Sequence, residues 1–468
     1  MLRTASVFVA LGLLLGFAGC GGADDQDEAG SVGTGGRSAV GEFEFPDAPQ
    51  APGGELEPGA AEAAADLSGS LASGGLDGEA LGRLAESGDA RLAWLLSDGL
   101  RFAQTGGEQD ALVAAFEQLT GADPSADPSF APSPWLSVSN HLIAWDLPAP
   151  SGYTELKGEL FTALEPGWEP FFADQQAEID WRLVSWGGVL IDDRPAGATE
   201  PCPDGCIPAL DDPPLTGAEG GDWYPDDRIV FGVEIDGEAV AFPKNIMEVH
   251  EMVNITIGDR RLGIPYCTLC GSAQAYFTDR DQVRGEDLVL RTSGLLSRSN
   301  KVMYELGSAS VFDTFTGEAL SGPLRERGVQ LEQASLVTTS WGEWKREYPD
   351  TRIVARDAGL GQSYPLDPLG GRDDNGPIFP VGPVDPRLEV QAPVLGVLTE
   401  DGEAIAFPAR AARETLENGG EVSLDGVSVR AQGGGLRARQ ADGTELPVHE
   451  AFWFAWSQFY PETALWES

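Results

Sequence analysis

The sequence predicts an α+β fold, a β-rich duplicated scaffold of two related hairpin-plus-helix units behind a small N-terminal helical module. Three observations carry that expectation. Val230-Phe231-Gly232-Val233 and Asp236-Gly237-Glu238-Ala239-Val240-Ala241-Phe242-Pro243 recur, with one inserted residue, as Val394-Leu395-Gly396-Val397 and Asp401-Gly402-Glu403-Ala404-Ile405-Ala406-Phe407-Pro408. Trp341, Trp344, Tyr348, Pro349 and Thr351 recur at identical spacing as Trp453, Trp456, Tyr460, Pro461 and Thr463. Leu92, Leu95 and Leu96, and then Leu112, Phe116 and Leu119, stand at helical spacing on either side of the Gly106-Gly107 break.

The elements follow in chain order. Residues 1–20 read as a lipoprotein-type signal peptide. Arg3 precedes an uncharged run over 7–17 that is too short to span a bilayer but suits a signal core. The run ends in Phe17-Ala18-Gly19-Cys20, which resembles a bacterial lipobox with Phe17 in the usual aliphatic place, so Cys20 is the expected lipidation site. Residues 21–67 are Gly, Asp, Glu, Ala and Pro with almost no large apolar side chains, which predicts a disordered acidic tether. A helical module over 68–122 comes next, then an irregular Pro- and Trp-rich connector over 123–213 that contains His141. The main domain, with the first unit, spans 214–360, and a second, shorter unit spans 361–468.

Within the first unit, 228–235 and 238–243 read as strands joined by Asp236-Gly237, a dipeptide that accepts the positive φ of a tight hairpin turn. A short helix over 245–253 carries His250 and Glu251. Apolar runs at 262–266, 273–277, 288–292, 301–306 and 311–315 read as strands. Ser340-Trp341-Gly342-Glu343 reads as a capping box opening a helix that Pro349 closes. The second unit has turn signals at Asp425-Gly426 and Asp442-Gly443 and lacks the insert that holds Cys267 and Cys270. Scaffold is thus shared by the two units, while candidate chemistry belongs to the first. The tryptophans, present in both, read as core.

A net charge of −45 and a pI near 4.1 argue against nucleic acid as a partner, because both surfaces would repel. No phosphate loop, dinucleotide fingerprint, nucleophile elbow or kinase signature occurs; Gly433-Gly434-Gly435 lacks the lysine and helix of a phosphate loop. The expected setting is the cell envelope outside the cytoplasm, with a membrane held through the lipid anchor. A small-molecule, glycan or protein ligand is left unspecified.

Several motifs resemble a known family. They are His250-Glu251-Met252-Val253-Asn254, Pro265-Tyr266-Cys267-Thr268-Leu269-Cys270-Gly271-Ser272-Ala273, Ser293-Gly294-Leu295-Leu296 with Ser299-Asn300 and Val302-Met303-Tyr304, and Thr316-Gly317 with Gly322-Pro323-Leu324. Over 226–356, and on to Phe452-Trp453-Phe454-Ala455-Trp456, the chain is similar to the Domain-of-Unknown-Function 3179 family. It departs from the family's pattern at Thr268, Ser297 and Phe312, which removes neither thiol nor histidine. The resemblance implies the domain and the place of its site, and no reaction.

The chemistry rests on Cys267 and Cys270, two thiols a tight turn apart between apolar strands. With His250 as third ligand they form a candidate metal site for zinc, or for copper(I) with help from Met303. As a redox pair, Cys267 is the nucleophile, His250 lowers its pKa and Cys270 resolves the mixed disulfide. A permanent structural disulfide is the third reading. The His250 to Asn254 run is not a zinc-protease helix, because Asn254 stands where the second histidine would be. Cys202 and Cys206 form a candidate local disulfide. Glu251, Asn254, Tyr266, Arg291, Ser293, Asn300, Met303 and Tyr304 are pocket candidates that either line a cavity or satisfy one another. The expectation is therefore a lipid-anchored extracytoplasmic protein with a zinc, copper or thiol-redox centre, and otherwise no cofactor. The alternative is a non-catalytic cell-surface binding module stapled by Cys267 and Cys270, and whether any reaction is catalysed stays open.

Overall fold

The computed structural model describes residues 43–202, 205–371 and 376–467. The expected signal peptide and its lipidation site Cys20 lie outside the described residues. The fold is mixed helix and sheet, helical in its first third and dominated by small sheets after that. No helix among the described residues is long and apolar enough to cross a membrane.

Helix begins earlier than the composition predicts. Pro58, whose missing N–H suits a first helical turn, opens the helix Pro58–Ala72 inside the expected tether. Ala60, Ala63, Ala64, Leu67 and Leu71 are buried along it, so small alanines supply an apolar stripe where large side chains are scarce. The helices Gly78–Glu86, Ala93–Phe102 and Gly106–Thr120 follow, the last held by a reciprocal Thr105–Glu108 capping box and ended by Gly121 at φ 73°. The connector is also more regular than expected. It contains Pro134–Ala144, Tyr153–Leu164 and Glu169–Ala173, two of them with proline in the first turn, so its prolines start helices rather than prevent them. A buried Asp98 binds Lys157 Nζ and Tyr153 OH, each at 2.7 Å, across this helical core.

Two sheets have a similar order over four strands, the first with a fifth strand added. The first runs Val337–Ser340, Ile229–Ile235, Glu238–Pro243, Arg352–Val354 and Leu215–Gly217, with Arg352–Val354 parallel to Glu238–Pro243. The second runs Val448–Phe452, Pro393–Leu398, Ala404–Pro408 and Ala464–Leu465, its last pair again parallel. In the first, the helix Trp341–Glu347 lays Trp344 on Gly232, and Trp344 Nε1 donates to Thr351 Oγ1 at 2.9 Å. In the second, Trp453–Phe459 lays Trp456 on Gly396, and Trp456 Nε1 donates to Thr463 Oγ1 at 3.0 Å. Both rings are fully buried, and a strand glycine is the residue that lets a backbone approach an indole so closely.

Two further sheets position the cysteines. One orders Gln333–Ala334, Ala275–Phe277, Arg260–Cys267, Met252–Ile257 and Leu210–Asp211, with Ser272–Ala273 also pairing onto Arg260–Cys267. The other orders Val184–Trp186, Leu290–Ser297, Asn300–Glu305 and Val311–Asp313. The helix expected over 245–253 is Lys244–His250, stopped where Glu251 takes a left-handed φ of 52°; its expected end is instead the strand Met252–Ile257. The capping box at Ser340 is half made: Ser340 Oγ accepts from Glu343 N at 3.3 Å, while the Glu343 carboxylate turns to Arg346.

Candidate functional site: a buried thiol pair beside a lysine

Arg260–Cys267 is apolar and buried over its last six residues, which carries Cys267 into the interior. The chain then turns through Thr268 and Leu269, with Gly271 at φ 57°, and returns so that Ser272 pairs with Cys267 and Ala273 with Tyr266. Gly271 is needed twice. Its φ is the left-handed one that glycine accepts without cost, and a Cβ there would stand 2.9 Å from the Phe452 ring. Phe452 N donates to Cys270 O at 2.8 Å, so the loop is docked on the strand Val448–Phe452.

Both thiols are free and buried, Cys267 2% exposed and Cys270 0%. Each lies against the carbonyl oxygen of Ser299, at 3.6 Å from Cys267 Sγ and 3.4 Å from Cys270 Sγ. Ser299 can present that oxygen because Arg298 and Ser299 take φ of 44° and 70° in the turn between Leu290–Ser297 and Asn300–Glu305. The next residue but one is Lys301, 3% exposed. Its Nζ donates to Tyr266 O at 3.0 Å and to Glu251 O, and Glu251 Oε2 is 3.9 Å away. Thr268 Oγ1 donates to Glu251 Oε1 at 3.2 Å, closing a ring of Glu251, Lys301, Thr268 and the two thiols.

This surrounding makes the two sulfurs unequal. Burial pushes the Cys267 thiol up, but a hydrogen bond from Cys270, with the Lys301 N–H and ammonium behind it, outweighs burial and the nearby Glu251 and holds Cys267 below the usual thiol range. Burial and then the Cys267 sulfur itself push Cys270 well above that range. Burial lowers Lys301, and the charges of Glu251 and Cys267 resist that. Cys267 is thus the more readily ionised sulfur of the pair, and Cys270 the one that holds its proton longer.

His250 does not join them. Its Nδ1 is 2.7 Å from Pro208 O and its Nε2 2.7 Å from Tyr364 OH, and burial brings its pKa down to about 4. The reason is one residue of chain direction. The left-handed Glu251 reverses the backbone, so Tyr266 N meets Glu251 O at 2.9 Å and it is the Glu251 side chain that faces Thr268 and Lys301. The three-ligand set His250, Cys267 and Cys270 expected for a metal is therefore not gathered. Met303 offers no soft ligand either, being packed among Met252, Tyr276, Leu290 and Phe312.

Among the described residues, one group of His, Cys, Asp or Glu brings three ligand atoms within 4.8 Å of each other: Asp192, Cys202 and Cys206. Cys202 and Cys206 are joined as a disulfide, Cα to Cα 5.4 Å, as their spacing predicts, so neither sulfur is a thiolate. Asp192 is occupied by Arg194 at 2.7 Å and by Ala209 N at 2.8 Å. That donor set does not fit a metal ion.

Most of the other pocket candidates brace strands. Arg291 grips Asp211 with two bonds of 2.9 and 2.5 Å, and Asn254 ties Asp211 to the backbone of Leu290. Ser293 Oγ donates to Val302 O at 2.6 Å and Tyr304 OH to Asp192 O at 2.7 Å. Tyr266 walls a cavity of about 440 Å³ at the seam between Phe231 and Phe452, over the Arg413–Glu450 pair. Asn300 lines a second cavity.

Sequence reasoning missed Lys301 and Ser299. Lys301 had a signal, a lone cation opening an otherwise apolar strand, whereas Ser299 acts through its backbone and had none. Buried polar atoms without partners cluster in the same two loops: Ser272 Oγ, both side-chain atoms of Gln274, Ser299 Oγ and Asn300 Oδ1.

The family model for "Protein of unknown function (DUF3179)" matches residues 204–441, just over half of the 468 residues. The chain belongs to the DUF3179 family. The matched residues of the DUF3179 domain include Glu251, Cys267, Cys270, Ser299 and Lys301, and leave the helices of the first third outside. No curated protein and no solved structure matches the chain.

Proposed function

We propose that the DUF3179 domain of this protein carries a thiol–disulfide redox centre, with Cys267 as attacking thiolate and Cys270 as resolving thiol. The observation that carries this reading is Lys301, a buried side chain bound to the backbone of Tyr266 next to the more readily ionised cysteine, at a site with two sulfur ligands and no gathered third. The partner class is a low-molecular-weight disulfide, because sulfurs 2% and 0% exposed exclude a bulky one without opening of the loop. Cys267 attacks one sulfur of that disulfide, forming a mixed disulfide and expelling one thiolate. Cys270 then attacks Cys267 Sγ, expels the second thiolate and passes its proton to it. The pair is oxidised by two electrons and the small disulfide is reduced to one thiol and one thiolate, the thiolate taking from solvent the proton that Cys267 lost on ionising.

The setting we propose is the cell envelope, outside the cytoplasm, with Cys20 lipidated and the chain anchored to a membrane. The Cys202–Cys206 bridge supports an oxidising compartment, and the charge of −45 supports the absence of nucleic acid among the partners. We also read the Trp344 and Trp456 sheets as two copies of one ancestral unit. Their strand order, parallel closing pair and glycine-on-tryptophan contact support that reading.

Thiol counting with mass spectrometry across glutathione redox buffers tests the centre. The expected result is a reversible two-hydrogen loss located at Cys267 and Cys270. In Lys301→Met, alkylation of Cys267 by iodoacetamide near neutral pH is expected to slow on the order of tenfold, because the thiolate loses its counter-charge. Stoichiometric zinc or copper on the purified protein would replace the redox reading with a metal one. A Cys267–Cys270 bond that no buffer reduces would replace it with the structural staple of a binding module.

A further inference from the structure

A second cavity, of about 230 Å³, is lined in part by Ser297, Arg298, Asn300 and Lys301, at the turn whose Ser299 carbonyl meets the thiols. Its walls are largely apolar, from Trp181, Leu295, Val302, Phe312 and Phe459. Polar side chains line it as well, Arg298, Asn300, Asp313, Thr314 and the Lys301 of the thiol site among them. Asn300 at 2% and Thr314 at 1% are almost fully buried, and Asn300 Oδ1 and Thr314 Oγ1 have no hydrogen-bond partner. Neither atom belongs to the bracing network around Asp211.

Arg298 is the unusual member. Its guanidinium lies over Phe459, 5.5 Å from the ring centre, and Nη2 donates to Gln458 O at 3.1 Å. Nε is buried without a partner, and Arg298 makes no ion pair among the described residues. The other acidic groups on this wall are already engaged. Glu178 is paired with Arg325 at 2.7 Å and Asp180 with Arg182 at 2.6 Å, while Asp313 Oδ1 accepts from Phe315 N and Thr316 N. Asp313 and Asp180 act on the Arg298 charge only through space, so its guanidinium has no carboxylate bonded to it among the described residues, and the unpartnered Asn300 and Thr314 oxygens are costly to bury.

The complementary ligand has a carboxylate for Arg298 and Thr314, a neighbouring hydrogen-bond donor for the Asn300 oxygen and Asp313, and an apolar remainder for the aromatic and leucine walls. The volume is below the roughly 300–1,000 Å³ of sites for drug-sized ligands, so the occupant is small. We propose that this cavity binds a small apolar α-hydroxy or α-amino acid, held through its carboxylate by Arg298 and through its α-donor by Asn300. The cavity shares Lys301 with the redox centre, but the inference does not rest on that reading, since Arg298, Asn300, Asp313 and Thr314 make no hydrogen bond to either sulfur.

Calorimetry and thermal unfolding of the full chain test it with four probes of similar shape: leucine, 2-hydroxyisocaproate, isocaproate and leucinamide. Saturable binding of leucine or 2-hydroxyisocaproate is expected, and which of them binds identifies the source. Isocaproate, without the α-donor, and leucinamide, without the carboxylate, are each expected to bind at least tenfold more weakly. Arg298→Gln is expected to weaken the bound acid by more than tenfold. Thr314→Val, which keeps volume and leaves the arginine, is expected to weaken it several-fold and guards against a folding defect in the first variant. Cys267→Ser is expected to leave it unchanged. Failure of both acids to bind, equal binding of leucinamide, or undiminished binding by both cavity variants overturns the proposal.

Discussion

Acidification from pH 6.5 to about 4 is expected to strip the folded protein of several kcal/mol through two buried neutral histidines. In the unfolded chain each imidazole takes up a proton below its ordinary 6.5; in the fold, burial delays His250 to about 4 and His449 to about 3. Both folded values are depressed, so this stability is fully present above 6.5 and is lost as pH falls toward them. At about 1.4 kcal/mol per pH unit, His250 alone accounts for roughly 3 kcal/mol and His449 for somewhat more, a large part of an ordinary folding free energy. His449 shows why the proton is refused: its Nδ1 faces Gln333 Nε2 at 3.0 Å, its Nε2 has no partner, and Phe315 and Trp456 close around the ring. The check is urea unfolding from pH 7.5 to 4.5 for the native chain and for His449→Gln. The native curve should fall more steeply by about 1.4 kcal/mol per pH unit below 6.5 and run parallel to the variant above 7. Parallel curves throughout would mean that His449 is not held neutral.

Replacing Gly396 by alanine is expected to cost about 3 kcal/mol, the upper end of overpacking effects. The added Cβ would fall inside the Trp456 ring edge, against Cζ3, Cε3 and Cη2. The ring cannot retreat, being 1% exposed with Nε1 bound to Thr463 Oγ1. Gly232 faces Trp344 in the same way, so Gly232→Ala should lose a comparable amount. Gly82, on the exposed side of Gly78–Glu86 with nothing within 4 Å, is the control. There alanine should stabilise by roughly 0.4–1 kcal/mol by reducing unfolded-chain entropy. Chemical denaturation midpoints of the three variants decide the matter. Equal losses at all three sites would show that glycine flexibility, and not the indole contact, is what counts.

Much of this arrangement was legible in the sequence. The Asp236-Gly237 turn and the apolar runs on either side of it located the first hairpin, because turn chemistry and local composition are read within a few residues. The Trp-x-x-Trp helices and their threonines were legible for the same reason, as fixed spacings that repeat. Helix at 58–72 and inside 134–173 was not, since alanine stripes and proline-initiated helices look like linker by composition.

The candidate site divides along the same line. That two thiols stand a turn apart, that Gly271 permits the turn, and that the Cys202–Cys206 pair can bridge follow from the sequence, because neighbours in the chain are neighbours in space. Which partner the thiols receive was decided only by tertiary structure. His250 and Glu251 are adjacent in sequence, and a single left-handed residue sends one to Tyr364 and the other to Thr268 and Lys301. The Ser299 carbonyl reaches the sulfurs from 29 and 32 positions away, and Lys301 comes with it. Their approach depends on how two sheets pack, and packing is a property of the whole buried surface and not of any local pattern.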